Sequence, residues 1–479
     1  LLVEISAGQY ESVSSIYLDV DNFGHRTVQN NNKKIYGVSV SSQFSSINRD
    51  PSAAYILNKD LELTVSNYAR TTGTTFKGIL DLQGHTLTSG VDESLFSFIG
   101  QSGRSYGQVK NGTIRFRATI GSNAAHRYYL TVYHNYGTIK NMNFLWDVSQ
   151  PENNANYTNW YNVGLISINY GTIRNFSVGL EQDLISYSRV FNSNGGVSNY
   201  AVTGLVNTNC GTIENGVLYG AADGSGQNYS ILGGAQVAGL VYNNYTSGVV
   251  RNIYGLVDVQ TRTGDAEGLD YDDVTTDADG NASTAASKYL NSVTAGTIVG
   301  TNNGGTVENV FSTGSVWIYT ADQTDSGYDL HQRYTLFTDF GSTVGRTSGG
   351  ERKNVNIRYA VKAGRDQLSY KNTMNRKVQM ATLLTTDYMK AFFGEKEGQQ
   401  YRFDYDMITA GNGYYPWVFQ DTAEKYLMPK TQIDLDAGVS TALTLVSAKE
   451  VGRSFDNQGF ETVRVTFSMI NDSLEPLYE

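Results

Sequence analysis

The sequence predicts an all-β chain built as a right-handed parallel β-helix. A short helical and β-strand cap toward the C-terminus and a small β segment after it complete the expected architecture. Three observations predict this: a seven-residue motif recurs along the chain, turn-forming residues dominate its composition, and the copies are too unevenly spaced for a helical repeat.

The motif decides the class. Asn135-Tyr136-Gly137-Thr138-Ile139-Lys140-Asn141 returns as Asn169-Tyr170-Gly171-Thr172-Ile173-Arg174-Asn175 and as Asn209-Cys210-Gly211-Thr212-Ile213-Glu214-Asn215. It appears again as Asn303-Gly304-Gly305-Thr306-Val307-Glu308-Asn309, with a looser copy at Gly248-Val249-Val250-Arg251-Asn252 and degenerate ones at Asn111-Gly112-Thr113-Ile114 and Gly350-Glu351-Arg352-Lys353-Asn354. Most copies follow a short apolar run such as Gly164-Leu165-Ile166, Gly204-Leu205-Val206 or Gly239-Leu240-Val241. The anchoring glycines lie between 25 residues apart (Gly112 to Gly137) and 57 apart (Gly248 to Gly305).

Each copy reads as one rung. The apolar run is a strand with alternate side chains inward. Asn-x-Gly is a turn whose residues accept positive φ. Thr-Ile-x-Asn opens the next strand, with Ile or Val in the core and Asn at a bend, where its amide can bond neighbouring groups. Stacked, the Asn residues form a ladder and the Ile/Val residues an apolar column, which no single rung could bury alone. At about 3.3 Å per residue a forty-residue rung has too long a perimeter, so the excess is expected in loops at 149–160, 181–200, 221–235, 261–290 and 318–333.

Composition agrees. Fifty glycines, 34 tyrosines, five prolines and 17% charged residues describe short strands and many turns. The net charge of −10 argues against nucleic acid, whose affinity rests on Lys and Arg releasing counterions. No apolar stretch is long enough to span a bilayer. The abrupt opening Leu1-Leu2-Val3 is expected of a piece of a longer precursor. The single cysteine, Cys210, excludes an intramolecular disulfide framework and suits a bacterial secreted chain.

The expected organisation is an N-terminal β cap, or the tail of a preceding domain, over 1–43; the β-helix over 44–375; a C-terminal cap over 376–420; a linker over 421–432; and a small β-domain, complete or cut short, over 433–479. Within the cap, Thr385-Thr386-Asp387 with Phe392-Phe393 and Gly394 predicts a short amphipathic helix.

No catalytic residue and no cofactor motif is assigned. The histidines His25, His85, His126, His134 and His331 do not form a His-Glu-x-x-His pair, and each reads as structural or surface. Gly103-Arg104-Ser105-Tyr106-Gly107 matches a nucleophile-elbow pattern but runs into a repeat rather than a helix, so it reads as a turn. Cys210 takes the place of Tyr136 and Tyr170 in sister copies, a turn or core position without an activating base. Glu214 and Glu308 stand at equivalent rung positions and are expected to face solvent. The tract Asp265, Glu267, Asp270, Asp272, Asp273, Asp277 and Asp279 leaves two readings open. One is a loose calcium loop around Asp277-Ala278-Asp279-Gly280-Asn281, which lacks EF-hand register; the other, favoured, is a solvated acidic loop.

The pattern Gly-Leu-Val…Asn-x-Gly-Thr-Ile-x-Asn resembles the GLUG repeat of bacterial cell-surface proteins, most fully over 301–316. Tyr55-Ile56-Leu57, Asp60-Leu61, Phe76-Lys77-Gly78, Asp81 and Gly84-His85-Thr86-Leu87 resemble that family's entry coils, with Leu82-Gln83 as a departure. The resemblance spans about 44–418. It implies a cell-surface or secreted location and a non-catalytic display or adhesion role. Expected partners are a host protein or glycan and neighbouring domains of a larger chain. Two alternatives stand beside it: a substrate-binding or spacer region of a giant cell-surface zinc protease of the immunoglobulin A protease type, and a β-helix polysaccharide-degrading enzyme. Exposed Tyr among Asn, Ser and Gly suits glycan or protein binding.

Overall fold

The computed structural model describes backbone for residues 2–7, 10–20, 26–30, 33–64, 71–117, 127–148, 162–185, 200–220, 229–262 and 294–355, with short internal omissions, and for the strand pairs further on; side chains are described over most of 36–316 and 343–355. Almost all of this is strand, apart from a helical turn at Ser41–Phe44 and a 3-10 turn at Ser45–Asn48. The chain is a parallel β-helix, as the repeat predicts.

Three parallel sheets run along the stack. The first is formed by Ala54–Leu57 with Leu61–Leu63, Ile79–Asp81 with Thr86–Ser89, then Gln108–Phe116, Thr138–Trp146, Thr172–Leu180, Thr212–Gly220, Val249–Gly255, Thr306–Ser312 and Glu351–Val355, each level paired in parallel with the next. The second runs from Thr71–Phe76 through Phe96–Ile99, Arg127–Asn135, Asn162–Asn169, Val206–Asn209, Val241–Tyr245 and Val299–Asn303 to Val344–Thr347. The third contains Leu184–Ile185, Ile231–Gly233, Val259–Arg262 and Val316–Thr324.

The register explains the motif. Leu80, Val109, Ile139, Ile173, Ile213, Val250 and Val307 form one column of the first sheet, all fully buried. Val132, Ile166, Val206, Val241 and Val299 face them from the second sheet. Each rung leaves its apolar edges to the rungs above and below, so burial exists only in the stack.

Two asparagine ladders brace it. At the corner between the second and first sheets, Asn135 donates to Asn169 (2.7 Å), Asn169 to Asn209 (2.8 Å), Asn209 to Asn244 (2.9 Å) and Asn244 to Asn302 (2.9 Å), all five fully buried. Within the first sheet a second ladder has the opposite polarity. Asn252 donates to Asn215 (3.0 Å), Asn215 to Asn175 (3.2 Å), Asn175 to Asn141 (3.2 Å) and Asn141 to Asn111 (3.0 Å). Asn111 donates in turn to Asp81 (3.2 Å).

One part of the turn reading is corrected. Positive φ is found at the bend residues Asn111, Asn141, Asn175, Asn215 and Asn252, between 52° and 60°, where Asn is the tolerated non-glycine residue. Gly137, Gly171 and Gly211 do not need it. They are glycine because a Cβ at Gly171 would collide with the carbonyl oxygen of Gly137, and one at Gly211 with that of Gly171. Stacked backbones approach too closely there for any side chain. We expect Gly171→Ala to destabilise the chain by about 1–3 kcal/mol, the usual range for overpacking, measured as a lower urea midpoint by circular dichroism.

The N-terminal end is closed by other elements. Leu2–Ala7, Tyr10–Val20, Arg26–Asn30 and Lys33–Val38 form an antiparallel meander whose last strand pairs in parallel with Ala54–Leu57. Phe44 and Ile47, fully buried, close the core beneath Phe96. This covers an edge that would otherwise offer unpaired backbone groups. Further on, Trp417–Phe419 pairs with Leu427–Pro429, and Thr444–Phe455 forms a hairpin with Glu461–Ile470, whose second strand lies parallel to Leu2–Ala7. The expected loop at 318–333 is instead an antiparallel hairpin of Val316–Thr324 and Gly327–Thr335. The cap helix expected at 385–394, the loop at 149–160 and the acidic tract from Asp265 to Asp279 lie outside the described residues, as do most of the remaining expected loops.

Candidate functional site

The corner that holds the first Asn ladder also sets the surface outside it. The residue after each ladder Asn points outward, giving Tyr136, Tyr170, Cys210 and Tyr245 on successive rungs. Tyr136 and Tyr170 stack with centroids 4.8 Å apart and planes 6° apart. That separation equals the spacing of neighbouring strands, about 4.8 Å, so the rings stack along the fold axis. His134 packs beside them, stacked on Tyr133 at 4.8 Å and edge-on to Tyr136, Tyr170 and Phe98. Burial holds the His134 imidazole below its ordinary range, so it is neutral near pH 7. The exposed large hydrophobics of the described residues are Val40, Tyr170 (44%) and Tyr245 (40%); the two tyrosines directly follow the ladder residues Asn169 and Asn244.

Cys210 is half-buried, its thiol pushed up by burial, and its carbonyl accepts a hydrogen bond from Ser247 (2.7 Å). The turn reading of this position holds. Glu214 is corrected: it does not face open solvent but grips Arg251 on the next rung, with Nε and Nη2 donating at 2.8 and 2.6 Å, both side chains largely buried. Gln101 to Arg104 form a turn, the Arg104 N–H donating to the Gln101 carbonyl (3.0 Å), ahead of the strand Gln108–Phe116; Gly103 and Gly107 have positive φ, Arg104 lies over the Tyr106 ring, and Ser105 lies outside the described residues. His85 lies 3.3 Å from Asp60 at an entry-coil turn.

A second constellation was not evident in the sequence. At the far end of the first sheet, Arg117, Asp147 and Glu181 follow strands on three successive rungs, joined by backbone bonds from Asp147 to Phe116 and from Glu181 to Trp146. Arg115 reaches Glu181 (2.9 Å) and Asp147 (3.8 Å), Arg117 reaches Asp147 (3.0 Å), and Gln182 donates to Asp147 (3.1 Å). Burial raises the Glu181 carboxyl, with Arg115 opposing. Tyr219 nearby is pushed up to about 12, chiefly by burial. Two cations and two carboxylates balance here. Spacings of thirty and more residues hid the group, because none of its members carries a motif.

Among the described residues no cluster of three or more His, Cys, Asp or Glu could hold a metal, and no helix is long and apolar enough to cross a membrane. No protein-family model, curated protein or solved structure matches the chain. The fold therefore defines the class, a parallel β-helix, on its own evidence.

Proposed function

We propose that this chain is a non-catalytic extracellular display or adhesion module of a large bacterial surface protein, of the kind the GLUG-like repeat implies. The observation that carries the reading is the aromatic corner. Exposed tyrosine rings follow ladder residues at one corner of a stack braced internally by two amide ladders. A stiff rod that offers aromatic surface at one corner is suited to holding a ligand away from the cell. Tyrosine supplies large contact area at small entropic cost.

The test is binding of the purified chain to a glycan array and to host extracellular-matrix proteins. Binding weakened about tenfold or more by Tyr170→Ala, equivalent to about 1.4 kcal/mol, with an unchanged melting temperature, is the expected result. Absence of any ligand for the intact chain would sink the reading.

A second reading, polysaccharide cleavage, is favoured by one observation: Asp147 and Glu181 occupy neighbouring rungs, about 4.8 Å apart at the backbone, close to the roughly 5 Å separation of a retaining carboxylate pair. Arg115 spans both, which suits a structural ion-pair group equally well. Release of reducing sugar from a polysaccharide panel, abolished by Glu181→Gln, would favour it over display.

A further inference from the structure

One charged pair is sealed within the first sheet. Asp81 and Lys110 are register partners on adjacent levels, and only 1% and 7% of their side-chain surfaces are exposed. The residues that continue the Lys110 column, Lys140, Arg174, Glu214, Arg251 and Glu308, are half-buried. Lys110 is the buried member of that column. Backbone bonds fix the two levels around the pair. The Leu82 N–H donates to the Lys110 carbonyl (2.9 Å), and the Gly84 N–H to the Asn111 carbonyl (2.8 Å).

The two carboxylate oxygens of Asp81 have different surroundings. Oδ1 accepts from the Asn111 side-chain amide (3.2 Å) and from the Gln83 backbone N–H (3.0 Å). Oδ2 accepts no hydrogen bond and lies 3.5 Å from Lys110 Nζ. A settled ammonium–carboxylate bond is shorter, about 2.7–2.9 Å, and two charges held out of water are unfavourable. The same arrangement suits condensation. A primary amine faces one oxygen, while two N–H donors hold the other, where negative charge develops when an amine attacks. Reacting groups fixed about 3–3.5 Å apart gain a very large effective concentration. Exclusion of water protects the product from hydrolysis, and an amide ends the burial of two charges.

We infer that Lys110 and Asp81 join in an isopeptide bond that staples the level of Ile79–Asp81 to that of Gln108–Phe116. Lys110 Nζ first passes a proton to Oδ2, leaving an amine and a carboxylic acid. The amine lone pair bonds to Cγ, and the carbonyl pair moves onto Oδ1, facing the Asn111 and Gln83 donors. A second Nζ proton goes to the Oδ2 hydroxyl, the pair on Oδ1 returns, and the Cγ–Oδ2 bond breaks. One water leaves; nothing is oxidised or reduced, and no co-reactant is needed. The ion pair is the state before reaction, so a substitution at either residue removes the pairing and the bond together.

The experiment is the intact mass of the purified, folded full chain, measured before and after prolonged incubation at neutral pH. The expected mass is that of the sequence less one water. Tryptic digestion should then yield residues 78–104 joined to residues 105–115, with no cut after Lys110. The joined peptide is read on the unsubstituted chain, so the result stands whether or not a variant folds. Lys110→Arg keeps the positive charge but offers no nucleophilic amine, since guanidinium stays protonated; it should show its full sequence mass, as should Asp81→Ala. An unsubstituted chain at full sequence mass after incubation would overturn the bond. So would a water loss that persists in Lys110→Arg, or one found only in another peptide, such as a cyclic imide at Asp279-Gly280.

Discussion

Replacing Asn209 by alanine is expected to lower stability by about 2–6 kcal/mol. The residue sits mid-ladder, accepting from Asn169 and donating to Asn244. Its amide also meets the Gly211 and Val249 carbonyls, and its oxygen accepts from the Gly211 N–H. Truncation strands an N–H of Asn169 and the side-chain oxygen of Asn244, both in side chains fully sealed from water. Each orphaned group carries a desolvation penalty of about 1–3 kcal/mol. Aspartate is no substitute, because it cannot donate onward to Asn244 and would bury a charge. At the ladder's end, Asn135→Ala strands the oxygen of Asn169, while the Gly137 N–H it also accepts keeps the Ile99 carbonyl, and it should lose about half as much. Urea midpoints of the three variants by circular dichroism provide the check. Equal losses at Asn135 and Asn209 would show that the ladder bonds add nothing beyond each side chain's own packing.

Rung and ladder were legible because the residues that make them are repeated. Ile139, Ile173 and Ile213 announce a buried column, and Asn141, Asn175 and Asn215 a bend, since a stack imposes the same environment on each level. Where the motif stretches, reading slips. The sequence predicts a ladder of the bend asparagines and a turn role for the Asn of Asn-x-Gly, yet that Asn forms a ladder of its own, and in the last full copy Asn302 holds the place, one residue before the motif's Asn303. Asn244 carries no motif signal because Thr246 and Ser247 lengthen the turn that separates it from Gly248. The turn glycines were assigned to φ because sequence cannot show how closely two backbones pass.

The candidate surface was legible in kind but not in place. Tyrosine abundance pointed to aromatic recognition. Only the register shows that Tyr136, Tyr170 and Cys210 follow aligned ladder residues, and that the first two stack there. The Arg115–Asp147–Glu181 group depends on the same register across three rungs, and each member alone looks like an ordinary charge after an apolar strand.

A loss of comparable size, about 3–5 kcal/mol, is expected from Asp81→Ala. The second ladder donates toward the N-terminus, so its last member needs only to accept, and a carboxylate is the side chain that does nothing else. Asp81 accepts from Asn111 (3.2 Å) and from the backbone N–H of Gln83 (3.0 Å), itself at a φ of 51°. Its other oxygen lies 3.5 Å from the Lys110 ammonium, and both side chains are almost completely buried. Removing the carboxylate takes the counter-charge from a buried cation, a change that typically costs 3–5 kcal/mol, and strands the Asn111 amide as well. Asp81→Asn retains an acceptor and should lose less than alanine. If charge pairing is what matters, Asp81→Leu combined with Lys110→Met should recover much of the loss, since apolar replacement of a whole buried pair is often neutral. Denaturation of the two single variants and the double variant measures the coupling. A double variant no more stable than the sum of its parts would mean that Asp81 acts through the ladder and the Gln83 turn, and not through Lys110.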